Sequence, residues 1–153
     1  PSPFDSYLRT LGLETLSLRV RHEVESARRL AEYCRNHPKV ERVSFVGFES
    51  HPSYANAKKY FRFGSSAVFT IELKGTLDST VRFVESLNLA AHMVMIGDSV
   101  TVVTHPASTT HKQLSDADLA AAGVTPTMLR ISVGLENTDD LIDDFEQAFA
   151  HIG

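Results

Sequence analysis

The sequence has few of the features that mark secreted, membrane or nucleic-acid-binding proteins. Its single cysteine, Cys34, rules out an internal disulfide and suits a reducing compartment. No apolar run approaches the roughly 20 residues that a membrane helix needs, and the N-terminus lacks the basic and then apolar pattern of a signal peptide. A net charge of −4 argues against a nucleic-acid role. We therefore expect a cytoplasmic protein.

Motifs for phosphate, hydrolase and metal chemistry are also absent. The glycines are scattered singly, so no glycine-rich loop can hold a phosphate. No Gly-x-Ser-x-Gly motif presents a nucleophilic serine, although Ser108, His111 and an aspartate could formally make a triad. The acidic run from Asp139 to Glu146 lacks the alternating ligands and central glycine of a calcium loop, which favours a solvated helix face.

What is present is the composition of one globular domain. Hydrophobic residues make up 42% of the 153 residues and charged residues 22%, values typical of a folded protein with a real core. We expect a single domain over residues 1–153. The chain begins Pro1-Ser2-Pro3 without an initiator methionine, which suggests a piece of something longer.

Helical periodicity dominates the first quarter of the chain. Glycine at position 12 weakens the turn around it, so the pattern predicts a short helix from Phe4 and a long one from Leu13 to Asn36, which Pro38 ends. Cys34 lies on the apolar stripe of the long helix, where inert burial is expected. The stripe consists of Leu13, Leu16, Val20, Val24, Ala27, Leu30, Ala31 and Cys34.

The rest of the chain mixes strands and helices. Strands are predicted at Val40–Val46, Ala67–Leu73, His92–Ile96, Val100–Thr104 and Met128–Val133. Helices are predicted at Tyr54–Tyr60, from Leu77, between Ser115 and Gly123, and after a cap at Thr138. Several connections between strands, such as the turn Gly97-Asp98-Ser99, are too short for a parallel crossover. We therefore expect an α+β fold with a mostly antiparallel or mixed sheet and helices packed on one face.

The segment Lys58–Phe63 interleaves basic and aromatic residues, as a nucleic-acid patch does. Because no other basic residues cluster in the sequence, we favour a different interpretation, in which this loop docks its aromatic rings on the core.

The most informative pair is the loop His105–His111 and Arg130. On its predicted strand, Arg130 faces the same way as Met128 and Ser132, opposite to the apolar set Leu129, Ile131 and Val133. A strand arginine can hold a carboxylate through two parallel hydrogen bonds, but an exposed edge-strand arginine or an internal salt bridge would give the same pattern.

The loop itself carries two imidazoles and three hydroxyls. Its histidines are six residues apart with no cysteine or carboxylate at ligand spacing, so a zinc site is not favoured. We expect the hydroxyls to satisfy backbone groups of the loop or polar groups of a neighbour.

These residues also make the sequence resemble a known family, the trans-sulfuration (Cys/Met-metabolism) group of pyridoxal-phosphate enzymes, and in particular its C-terminal domain. Within that family, threonine at position 109 resembles the O-acetylhomoserine sulfhydrylases more than the lyases. The motifs that carry the resemblance are Ser2-Pro-Phe, Gly12-Leu-Glu-Thr-Leu with Leu18-Arg-Val, Asn36-His-Pro-Lys-Val40, His51-Pro-Ser-Tyr54 with Ala57-Lys-Lys-Tyr60, Ile96-Gly-Asp98, His105-Pro-Ala-Ser-Thr-Thr-His111, and Arg130-Ile-Ser-Val-Gly-Leu-Glu136 with Asp139-Asp140.

The resemblance implies a homotetrameric transferase that makes homocysteine and acetate from O-acetylhomoserine and sulfide, with pyridoxal phosphate as electron sink. It implies three substrate-binding positions on this chain. Arg130 would bind the substrate α-carboxylate, and Thr110 would line the cofactor side of the site. Met95 stands where the family usually has serine or asparagine, and it cannot supply that side-chain hydrogen bond.

The resemblance places the family's Schiff-base lysine and phosphate loop in a larger preceding domain. The five lysines here lie in loop or turn contexts unlike that lysine's. We therefore expect no catalytic, cofactor-binding or metal-binding residue on this chain, no bound cofactor, and no activity from the chain alone. The alternatives are a free-standing amino-acid-binding or regulatory module, and another trans-sulfuration enzyme of the cystathionine synthase or methionine lyase type.

Overall fold

The computed structural model describes residues 1–152, and of Asp116 it describes the backbone alone. A single turn of 3₁₀ helix covers Pro106–Ser108. The helices are α1 (Pro3–Glu14), α2 (Leu16–Asn36), α3 (Tyr54–Tyr60), α4 (Leu77–Glu85), α5 (Asp116–Ala121) and α6 (Thr138–Ala150), and the strands are β1 (Val40–Ser44), β2 (Val68–Leu73), β3 (Ala91–His92), β4 (Val102–Thr104) and β5 (Met128–Ser132).

The five strands form one mixed sheet in the order β1-β2-β5-β4-β3. The pairs β1–β2, β2–β5 and β5–β4 are antiparallel, and β3–β4 is parallel. The last strand in the chain, β5, is therefore the central strand of the sheet, hydrogen-bonded along both edges.

The two faces of the sheet differ because side chains alternate along each strand. The apolar face consists of Phe69, Ile71, Val103, Leu129 and Ile131, which are buried and share one core with helical residues such as Leu30, Phe83 and Phe145. The opposite face, which we call the polar face, carries Thr70, Thr104, Arg130 and Ser132 beside the apolar Val68 and Val102. Helices α2, α4 and α6 contribute to the core on the apolar face, which confirms the expected α+β arrangement with helices packed on one side.

Helix α2 joins the core through its second half only. Ala27, Leu30, Ala31 and Cys34 are fully buried, and burial raises the pKa of the Cys34 thiol, as expected for an inert cysteine. Although α2 is the longest helix, no helix within residues 1–152 is both long and apolar enough to cross a membrane.

The N-terminal arm, which we define as α1 and the first half of α2, lies outside this core. Helix α1 begins with a capping box between Ser2 and Asp5 and has no buried residue. The predicted stripe is exposed here, with Leu13 and Leu16 both solvent-accessible. The break between the two helices falls at Thr15, rather than near Gly12 as predicted.

The predicted strand pair His92–Ile96 and Val100–Thr104 is wrong in extent and in direction. Only β3 and β4 remain, and they pair in parallel across residues 93–101, which we call the 93–101 loop. This loop leaves the sheet because its polar groups bond elsewhere: the backbone N–H of Gly97 donates to Ser132 Oγ at 3.2 Å and that of Leu135 to the Ser99 carbonyl at 2.8 Å. The loop therefore crosses the polar face beside β5.

Two local predictions also need correction. Asn137, rather than Thr138, caps α6, because its Oδ1 accepts from the backbone N–H of Asp139 while the Thr138 hydroxyl donates to Ser26 on α2. The aromatic rings of residues 60–63 do not dock on the core. Phe61 and Phe63 are more than half exposed, and Phe63 lies under the guanidinium of Arg21 instead.

Candidate functional site

Arg130 lies in the middle of the central strand, opposite Thr70 on β2 and Thr104 on β4. Its side chain is half-buried, and its Nη2 donates a hydrogen bond of 3.2 Å to Thr104 Oγ1. Its Nε is buried and meets no acceptor among the described residues. Arg130 is thus not an edge-strand arginine, and it takes part in no ion pair in the part of the chain that the structure describes.

A half-buried guanidinium with unmet hydrogens is costly unless an anion meets it. A guanidinium has five N–H donors in a fixed plane, and the protein accepts from one nitrogen here. The remaining donors suit a carboxylate, which accepts two parallel hydrogen bonds from such a fork.

The 93–101 loop is tied to the strands beside Arg130 at two points. The Thr104 hydroxyl, which accepts from Arg130, donates in turn to the Met93 carbonyl at 2.6 Å. The second tie is the Gly97 contact with Ser132 on the polar face. Met95 lies midway in sequence between these two ties and is 45% exposed.

The His105 loop follows directly from Thr104 and is built around a buried imidazole. His105 is 1% exposed, with Nε2 at 2.8 Å from the Pro126 carbonyl and Nδ1 at 2.8 Å from Ser108 Oγ. Because the carbonyl can only accept, Nε2 carries the proton and Nδ1 accepts from Ser108. The Thr109 hydroxyl donates to the His105 carbonyl at 2.7 Å. The loop hydroxyls therefore satisfy the loop itself, as expected.

This geometry excludes the formal hydrolase triad. Ser108 bonds to His105 and not to His111, and the second nitrogen of that imidazole faces a carbonyl where a triad needs a carboxylate. Over residues 1–152, apart from the Asp116 side chain, no three histidine, cysteine or acidic side chains cluster as metal ligands do.

Thr110 lies beyond the 3₁₀ turn, on the surface. Its side chain is exposed and its Oγ1 is 2.7 Å from Nδ1 of His111. The structure therefore brings Arg130 and the 93–101 loop, which carries Met95, together on the polar face. It places Thr110 on the surface, just after the 3₁₀ turn that follows β4.

Sequence reasoning missed the residues that organise this site. Thr104 and Ser132 are the hydroxyls that hold the 93–101 loop, and Glu136 accepts two hydrogen bonds from Thr101. The alternation of β5 placed Ser132 on the face of Arg130, which was the available signal. The partners of Thr104 and Glu136 depend on strand pairing between distant segments, which the sequence alone did not give.

The lysines of the chain do not form a site for a covalently held cofactor. Lys39 is used structurally, since its Nζ donates to the carbonyls of Phe149 and Ile152 at the end of α6. The other four, Lys58, Lys59, Lys74 and Lys112, are exposed. Lys58 and Lys59 lie in the last turn of α3, and not in a loop or turn as predicted. The lysines of the described chain therefore do not fit a site for covalently held pyridoxal phosphate.

Comparison with known proteins gives this geometry a context. Homocysteine synthase from Schizosaccharomyces pombe is 46% identical over 147 residues, which cover 96% of this chain and 34% of that protein. O-acetyl-L-homoserine sulfhydrylase 1 from Thermus thermophilus is 43% identical over 97% of this chain and 35% of that protein. The chain thus spans about a third of the length of the curated relatives it matches.

A solved structure agrees with these relatives. It is a crystal structure of a protein described as an O-acetylhomoserine (thiol)-lyase from Campylobacter jejuni, with N′-pyridoxyl-lysine-5′-monophosphate at position 205. It superimposes with a TM-score of 0.85 at 37% identity, covering 92% of this chain and 33% of that one. The profile of the family described as Cys/Met metabolism PLP-dependent enzyme matches residues 1–150. The chain therefore belongs to the Cys/Met metabolism family of pyridoxal-phosphate-dependent enzymes.

Proposed function

We propose that this chain is the carboxylate-binding, C-terminal domain of a pyridoxal-phosphate-dependent O-acetylhomoserine sulfhydrylase. The whole enzyme would convert O-acetylhomoserine and sulfide to homocysteine and acetate. The observation that carries the proposal is the half-buried Arg130 on the central strand, with a buried Nε that has no acceptor among the described residues. Relatives named homocysteine synthase and O-acetyl-L-homoserine sulfhydrylase, at 46% and 43% identity, support the choice of reaction.

In this proposal each residue of the site has a physical task. Arg130 binds the substrate α-carboxylate through two charge-assisted hydrogen bonds. Thr104 fixes the orientation of the guanidinium by accepting from Nη2. Met95 forms an apolar wall beside the carboxylate, and Thr110 approaches the site from the cofactor side. Holding the amino acid in one orientation restricts which of its bonds can react.

The cofactor would be held by residues outside this chain. Pyridoxal phosphate supplies the electron sink that β- and γ-elimination need. Because no lysine of the chain lies in a suitable place, the chain alone is expected to be inactive. A cytoplasmic location and a homotetrameric whole enzyme are part of the same proposal, and light scattering on the whole enzyme would check the second.

The direct test is substitution of Arg130 in the whole enzyme. Arg130→Gln should lower kcat/KM for O-acetylhomoserine by about 10² to 10⁴, since two hydrogen bonds to a charged group contribute about 1.5–3 kcal/mol each. Arg82→Gln, at an exposed arginine on α4, is the matched control and should leave kcat/KM unchanged. An unchanged kcat/KM in Arg130→Gln would remove Arg130 from the site and end the proposal.

A second test concerns the cofactor and uses the chain by itself. Added pyridoxal phosphate followed by borohydride should give only scattered, substoichiometric modification of the four exposed lysines. Mass spectrometry of the digest measures this. A stoichiometric adduct at one lysine would show that the chain holds the cofactor and would overturn this part of the proposal.

A further inference from the structure

We infer that Glu136 is a positioning residue that fixes the 93–101 loop against the strand of Arg130 and so sets the affinity for the substrate. This inference rests on the proposed function, because it assigns the loop to the substrate site. It gives the last residue of the Arg130–Glu136 motif a task in the substrate site.

The contact that carries the inference is a double hydrogen bond to one carboxylate. Thr101, which is fully buried, donates its backbone N–H to Glu136 Oε1 at 2.6 Å and its hydroxyl to Oε2 at 2.7 Å. Both oxygens of the half-buried carboxylate are thus used by a single residue at the end of the loop. A carboxamide at this position would have one acceptor oxygen, and its NH₂ group could not accept from the donor that now meets the second oxygen.

Two further contacts lock the same end of the loop. The Thr101 hydroxyl accepts from the backbone N–H of Gly134 at 2.9 Å, and the N–H of Leu135 donates to the Ser99 carbonyl at 2.8 Å. A Cβ at Gly134 would lie 2.5 Å from the Ser99 carbonyl oxygen and 2.6 Å from the Thr101 nitrogen. The loop backbone therefore rests directly on the chain that follows β5, and only glycine leaves room for it there.

These contacts matter for substrate binding because they form one of two ends of a short span. The other end is held at Met93 by Thr104, the residue that also accepts from Arg130. Between the two ends, Met95 and Ile96 are exposed, and the hydrogen bond from Gly97 to Ser132 at 3.2 Å holds the span to β5. Releasing Thr101 from Glu136 lets this span move away from Arg130.

The test uses the whole enzyme and a graded set of variants. Glu136→Gln keeps an acceptor for the Thr101 N–H and loses that for its hydroxyl. Thr101→Val removes the hydroxyl with little change of shape, and Thr101→Ser keeps it. Glu136→Gln and Thr101→Val should raise KM for O-acetylhomoserine roughly tenfold, with kcat changed by less than about threefold. Thr101→Ser should retain the wild-type KM.

Two measurements separate positioning from a loss of folded protein. A purely structural defect lowers the amount of active enzyme, so it lowers kcat at constant KM, whereas a displaced loop raises KM. Amide hydrogen exchange should become faster at residues 97–101 in Glu136→Gln and stay unchanged on β2. Glu85→Gln, at an exposed glutamate on α4, is the control and should change neither.

The outcomes distinguish this inference from the function on which it rests. If Arg130→Gln lowers kcat/KM while Glu136→Gln and Thr101→Val keep the wild-type KM, the positioning role of Glu136 is overturned and the proposed function stands. If Arg130→Gln has no effect, both fail. A raised KM in both Glu136→Gln and Thr101→Val, with a wild-type KM in Thr101→Ser, supports the inference.

Discussion

The two sides of the sheet treat charged side chains differently. On the apolar side, Asp144 of α6 is buried, and its carboxylate accepts from the backbone N–H groups of Asn88, Leu89 and Ala90 at 2.8, 3.1 and 3.0 Å. On the polar side, Arg130 has one hydroxyl partner and a buried Nε with no acceptor in the described chain. The protein satisfies the charge of Asp144 with hydrogen bonds, whereas it leaves the charge of Arg130 only partly satisfied.

This difference marks Asp144 as a structural charge and is consistent with the binding role proposed for Arg130. The N–H groups that donate to Asp144 lie between the end of α4 and the start of β3. They therefore have no carbonyl partners in either element. The fold needs Asp144 to satisfy them. No comparable need explains Arg130, because the backbone of β5 is already paired along both edges. The fold therefore leaves the guanidinium of Arg130 incompletely hydrogen-bonded, as the proposed role in carboxylate binding requires.

The largest effect on stability is expected at Asp144, whose carboxylate is fully hydrogen-bonded. Asp144→Ala should lower the free energy of unfolding by about 2–4 kcal/mol, because three backbone donors lose a charged acceptor and two of the bonds lie at the edge of the core. Urea unfolding followed by circular dichroism measures this. The exposed Asp143→Ala, one residue away on α6, is the control. Equal stability of the two variants would break the comparison.

A much smaller effect on stability is expected at Arg130, whose guanidinium is only partly hydrogen-bonded. Arg130→Met should change the free energy of unfolding by less than about 1 kcal/mol, or increase it, because an unpaired half-buried charge is replaced by an apolar side chain of similar length. The same unfolding experiment applies. A loss as large as that in Asp144→Ala would mean that Arg130 is structural.

The smallest effect is pH-dependent and involves His37 at the end of α2. Burial against the ring of Phe149, 3.9 Å away between centroids, lowers the pKa of His37, with Glu146 opposing and Lys39 adding to the shift. The unfolded state then binds the proton more readily. The contribution to stability is therefore complete above about pH 6.5, the ordinary pKa of histidine, and is lost as the pH falls below that value.

Comparison with His37→Gln tests this assignment. Between pH 7.5 and 5.5 the wild-type protein should lose more unfolding free energy than His37→Gln, which has no titrating group at this position. His151→Gln, at an exposed histidine, should behave like the wild type. Parallel curves for wild type and His37→Gln would contradict a buried neutral His37.

The sequence predicted those features that depend on neighbouring residues. The alternation along β5 correctly placed Arg130 opposite Leu129 and Ile131, and helix α3 was predicted with its observed bounds. The position of β5 in the sheet was not predictable, because it depends on pairing with β2 and β4 from distant parts of the chain. For the same reason the sequence left open whether Arg130 was an edge-strand residue.

The errors have a common physical origin in contacts between distant segments. Val94 to Ile96 read as a strand because they are apolar, but the hydrogen bonds from Gly97 to Ser132 and from Leu135 to Ser99 take the chain out of the sheet. Thr138 is a good capping residue, yet its hydroxyl is used by Ser26 of α2, which leaves Asn137 to cap α6. Local sequence propensity could predict neither the path of residues 94–96 nor the cap of α6.

The central position of β5 has a consequence for the entropy of binding. Because β2 and β4 already order the backbone of Arg130 and Thr104 restrains its guanidinium, little conformational freedom remains to be lost when an anion arrives. Under the proposed function Arg130 is therefore preorganised for its anion, and β5 should superimpose in free and substrate-bound forms of the whole enzyme. Any ordering that accompanies binding would fall on the exposed span from Val94 to Val100. Under the proposed function, the entropy change on substrate binding should therefore reflect ordering of the 93–101 loop and not of the sheet.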